Sequence, residues 1–67
     1  MTLITTPNIP DADDFYAELL ATHQELSLAD SHALNAQLVL ILSNHIGDLG
    51  VLRAALRLAH DGFGPVR

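Results

Sequence analysis

Leu34-Asn35-Ala36-Gln37-Leu38-Val39-Leu40-Ile41-Leu42-Ser43-Asn44-His45-Ile46-Gly47-Asp48 holds five consecutive apolar residues, Leu38 to Leu42, between polar flanks. At 100° per residue those five point all the way round a helix, leaving no face there for water. Asn35, Gln37, Ser43, Asn44 and His45 restore polarity before and after the run. The pattern predicts a central helix that needs cover on every side. Its end is also written locally. Gly47 supplies the left-handed conformation that commonly closes a helix, and Asp48 can at once cap the next one.

Upstream, Ser27-Leu28-Ala29-Asp30 has the form of a capping box, with Ser27 accepting from the third residue's N–H and Asp30 reaching back. The central helix is therefore expected from about Leu28 to His45 or Ile46. Downstream, a third helix is predicted from Leu49 to about His60. Leu49, Leu52, Leu56 and Ala59 form its buried stripe, Arg53, Arg57 and His60 its polar one, and Gly62 and Gly64-Pro65 stop it.

The first helix is expected to start at Asp11, whose carboxylate can cap it, and to end near Glu25. Asp13 and Asp14 sit in its first turn, where the helix dipole favours negative charge. Phe15, Leu19, Thr22 and Leu26 follow its apolar face, with Asp14, Glu18, Ala21 and Glu25 opposite. Residues 1–10 resist helix, because Pro7 and Pro10 push the residues before them out of the α region. They read either as a frayed arm or as an extended strap over a helix or a partner. The fold expected is all-α: an extended N-terminal arm (1–10), a three-helix domain with a central apolar helix (11–62) and a C-terminal tail (63–67). Phe15, Leu19, Leu38, Leu42, Leu52 and Leu56 are expected in one core.

At 67 residues the chain falls where a single core is only marginally stable without staples. It has no cysteine, and its four histidines (His23, His32, His45 and His60) fit no zinc-binding spacing. Yet 49% of the chain is hydrophobic, almost all of it aliphatic. Small size, no staple and surplus aliphatic surface favour self-association or docking on a larger protein. Two neighbouring helices and a short arm cannot surround the central helix, so Val39 or Leu40 should remain uncovered.

The charge is −5, unevenly spread. Seven acids precede residue 49, where there is no lysine or arginine, whereas Arg53, Arg57 and Arg67 all follow it. Such a surface repels phosphate backbones, which argues against nucleic acid. The N-terminus lacks a signal-peptide pattern and the apolar run is far below the ~20 residues that span a bilayer, so a cytoplasmic chain without membrane contact is expected.

Asn44, His45, Gly47 and Asp48 form a candidate corner with two readings. Asp48 orienting His45 is half of a general-base dyad, but no nucleophile, oxyanion hole or pocket accompanies it. The alternative is a polar knot that caps two helix ends and fixes their angle. Arg53 and Arg57, one turn apart, can grip a carboxylate or phosphate, or pair with the acids of the first helix or of a partner. No cofactor fingerprint appears, and the residues indicate no enzyme, no metal and no bound cofactor.

Asp13-Asp14-Phe15-Tyr16, the spaced leucines Leu38, Leu40 and Leu42 after Asn35-Ala36, the segment Asn44-His45-Ile46-Gly47-Asp48 and then Leu52-Arg53 resemble a family of small bacterial proteins, a domain of unknown function of about this length. The likeness covers roughly residues 7 to 60, and Asn-His-Ile-Gly-Asp is its most specific part. Members accompany FAD-dependent aromatic-ring hydroxylases, and one is similar to the small coupling protein of a 3-hydroxyphenylacetate hydroxylase. The resemblance brings no catalytic residue with it. It implies a non-catalytic accessory subunit docking on a flavoprotein hydroxylase, with Val39, Leu40, Arg53 and Arg57 as candidate contact residues. The alternative is a self-associating helical protein, a homodimer with no flavoprotein partner.

Overall fold

A computed structural model describes residues 1–63 as an N-terminal arm without helix or strand followed by three helices, α1 (Ala12–His23), α2 (Leu28–Ile46) and α3 (Leu49–Phe63). The fold is all-α, with α2 central in the chain and longest.

The three helix starts are built differently. Ser27 is extended (φ −64°, ψ 163°), and its Oγ accepts from the Asp30 N–H at 3.1 Å. That is one half of the expected capping box; the Ser27 N–H donates no hydrogen bond to the Asp30 carboxylate. Asp48 caps α3 fully: its Oδ1 accepts from the Val51 N–H at 3.1 Å and its carbonyl from the Leu52 N–H at 3.0 Å. Asp11, by contrast, does not cap α1 with its side chain. Its backbone (φ −105°, ψ 46°) is not the extended conformation seen at Ser27, which aims a side chain back at the free N–H groups. Only its carbonyl takes part, accepting from the Phe15 N–H at 3.0 Å.

The helix ends differ as well. Gly47 closes α2 in the left-handed conformation (φ 66°, ψ 10°), its N–H donating to the Ser43 carbonyl at 2.9 Å. α1 ends two residues short of the expected Glu25. Glu25 itself takes a positive φ of 65°, an uncomfortable conformation for a residue with a side chain. α3 runs through Gly62 to Phe63 instead of stopping at His60. A single glycine costs a helix only about 1 kcal/mol, too little to end one by itself. The expected stop at Gly64-Pro65 lies outside the described residues.

The single core expected from the sequence is not assembled. Val51 of α3 alone is buried, at 6% exposure, among the described residues. Leu19, Leu38 and Leu52 are half-buried, whereas Phe15, Leu42 and Leu56 are exposed. Leu49 and Leu56, expected in the buried stripe of α3, stand open, as does Ala59. The reason lies in how the chain is laid out. α2 and α3 come close at only a few points and the other helix pairs at fewer, so most of each apolar face finds no neighbour. The Cα radius of gyration is 13.9 Å. A compact domain of this length would have about 11 Å. In the arm Leu3 is half-buried and the other residues are exposed.

Candidate docking surface

Two apolar surfaces remain open, and they lie on different sides of α2. The outer one centres on Leu40 and Ile41, 66% and 62% exposed. Gln37 and Asn44, one turn to either side of them, give it a polar border. The second is a groove of about 490 Å³ between α2 and α3. Val39 and Ser43 form its α2 wall, and Leu49, Leu52 and Leu56 with Ala55 and Ala59 form its α3 wall. Val39 and Leu40 both stay uncovered, but Val39 lines the groove and Leu40 does not.

Arg53 and Arg57 are exposed on α3, on the edge of the row that carries Leu49 and Leu56. Among the described residues neither pairs with a carboxylate. The one close charged contact is His60 Nδ1 to Asp61 Oδ1 at 3.9 Å, between exposed neighbours. The acids of α1 therefore do not meet the arginines of α3 within the chain.

At the corner, Gly47 and Asp48 make the turn. The Asp48 carboxylate is committed to the Val51 N–H. A methyl group at Gly50 would come 3.3 Å from Asp48 Oδ1, closer than ordinary contact, so the small residue lets this cap close. Asn44 and His45 are exposed, and no hydrogen bond joins either to Asp48. The His45–Asp48 dyad is not formed. Among the described residues no cluster of three metal-binding side chains occurs, and no helix is long and apolar enough to cross a membrane.

One polar link had no signal in the sequence. His23, half-buried, donates from Nδ1 to the Leu19 carbonyl at 2.9 Å, and its Nε2 lies 2.9 Å from Asn35 Oδ1. The Asn35 amide can present either its oxygen or its NH₂ to this nitrogen. This bond ties α1 to α2 across 12 residues of sequence. Neither residue type nor spacing marks such a pair in advance.

Residues 3–61 match the pattern of a family described as "Protein of unknown function (DUF2783)". The chain belongs to DUF2783. No curated protein and no solved structure matches this DUF2783 chain. The match takes in all of α1 and α2 and most of α3, so both open surfaces of the DUF2783 protein fall inside it.

Proposed function

We propose that this DUF2783 protein is a non-catalytic accessory subunit that docks on a flavin-dependent aromatic-ring hydroxylase through the outer face of α2. The observation that carries the docking is the exposure of Leu40 and Ile41 at the middle of a helix whose sequence demands cover. The chain exposes 6069 Å². A folded monomer of 7.2 kDa would expose about 4,100 Å². The excess, roughly 1,900 Å², is more than twice the ~800 Å² that each partner contributes to an ordinary stable interface.

The choice of a flavoprotein rests on the resemblance carried by Asn44-His45-Ile46-Gly47-Asp48. A hydroxylase flavin–oxygen adduct that meets water before substrate decays to peroxide and wastes reductant. A small helical subunit can limit that loss by excluding water or by restraining a mobile loop over the site. Self-association without a flavoprotein is the second reading, favoured by the groove between α2 and α3, which is a separate surface.

The test is to co-express the chain with an FAD-dependent aromatic hydroxylase of the same organism. Co-elution and lower peroxide release per reductant consumed are expected, and Leu40→Asp should abolish both. Separate elution with unchanged peroxide release would overturn the proposal.

A further inference from the structure

We infer that the groove between α2 and α3 is filled by α1 of a second copy of this chain, in a reciprocal dimer held in register by Asp14 and Glu18 against Arg53 and Arg57. The inference uses a different surface from the one assigned to the hydroxylase and does not depend on that reading.

The occupant follows from matching two rows of side chains. On α3, the exposed apolar row of Leu49 and Leu56 is bordered by Arg53 and Arg57, one turn apart and unpaired among the described residues. On α1, Phe15 is 45% exposed and is bordered by Asp14 and Glu18, also one turn apart and exposed. Each row is thus an apolar ridge with a charged pair at the i, i+4 spacing, and the two pairs have opposite sign. Viewed from the N-terminus of each helix, the acids lie on one side of Phe15 and the arginines on the opposite side of Leu56. When the two helices face each other and run parallel, the charged rows therefore meet on the same edge while Phe15 enters the groove. Within one chain these rows do not pair among the described residues.

A second copy is also the partner with the right charge. Residues 1–48 carry seven acids and no lysine or arginine, whereas 49–67 carry three arginines and one acid. Two-fold symmetry sets the negative part of each copy against the positive part of the other, twice per dimer. The groove supplies the apolar centre and the ion pairs its rim, the ordinary anatomy of a specific interface. Rim charges of this kind steer and set register more than they add affinity, and like charges placed there are costly.

Sedimentation velocity at micromolar concentration, with no flavoprotein present, tests the dimer. Wild type should sediment as a dimer that weakens with salt. The pair Arg53→Glu and Arg57→Glu in one chain, or Asp14→Arg and Glu18→Arg in another, should each weaken dimerisation more than roughly tenfold. Mixing the two variant chains should restore a dimer, because both reciprocal contacts then join opposite charges. If either variant loses helicity alone, recovery of helicity and dimer on mixing carries the same meaning. A monomeric wild type, dimers that persist in both variants, or a mixture that fails to recover would overturn the inference. Since the hydroxylase is absent, failure here leaves the outer-face proposal standing, and failure there leaves this one.

Discussion

The two helix junctions of this small protein are made in opposite ways. Between α2 and α3, each residue suits its position: Gly47 has the left-handed backbone that glycine tolerates, Asp48 caps α3, Gly50 leaves room for the cap and Val51 is buried behind it. Between α1 and α2, the left-handed position is held by Glu25, Asp11 leaves its cap unmade, and one side-chain bond joins the helices. The first junction is fixed by local chemistry. The second is held by little, so the position of α1 depends on what covers it. That asymmetry suits a chain whose first helix finds its main contacts in another copy.

Stability measurements on the two junctions should separate them, provided all chains are compared at one concentration, since association adds to apparent stability. The largest effect is expected at Gly47. Gly47→Val forces a β-branched residue into the left-handed region and should cost about 1–2 kcal/mol in urea unfolding. An unchanged midpoint would mean that α2 and α3 can merge through the corner.

Asp48→Ala should follow, at about 1 kcal/mol, through the lost cap. Its effect should appear as reduced helicity at the start of α3 in amide exchange. Protection of Val51 and Leu52 equal to wild type would show that the cap contributes nothing.

At the weaker junction the sign should reverse. Glu25→Gly relieves roughly 1–2 kcal/mol of backbone strain and loses part of it to the freer unfolded chain. A net gain of about 0.5 kcal/mol is expected in thermal unfolding, and a loss would place a favourable contact on the Glu25 side chain. The smallest effect belongs to Asp11→Ala, expected to change stability by less than about 0.5 kcal/mol because no side-chain cap exists to lose. A cost near that of Asp48→Ala would show that Asp11 caps α1 in solution and would erase the contrast between the junctions.

By itself the sequence determined the three helices, the left-handed turn at Gly47 and the caps at Ser27 and Asp48. These are settled within a few residues by backbone sterics and short hydrogen bonds, so they can be read locally. It also marked α2 as a helix apolar all round at Leu38–Leu42, and therefore in need of cover. What it did not determine was which side chains receive that cover. Phe15, Leu42 and Leu56 have the residue types and spacing of core positions, yet they are exposed, because burial depends on another element arriving at the right angle. The His23–Asn35 bond was hidden for the same reason, being a meeting of two helices rather than a pattern within one. Only the tertiary structure decided that α2 and α3 meet at few points, that Val39 lines a groove from which Leu40 is absent, and that the acids of α1 stay apart from the arginines of α3. Local structure follows from neighbours along the chain, whereas burial follows from neighbours in space, which no local pattern specifies.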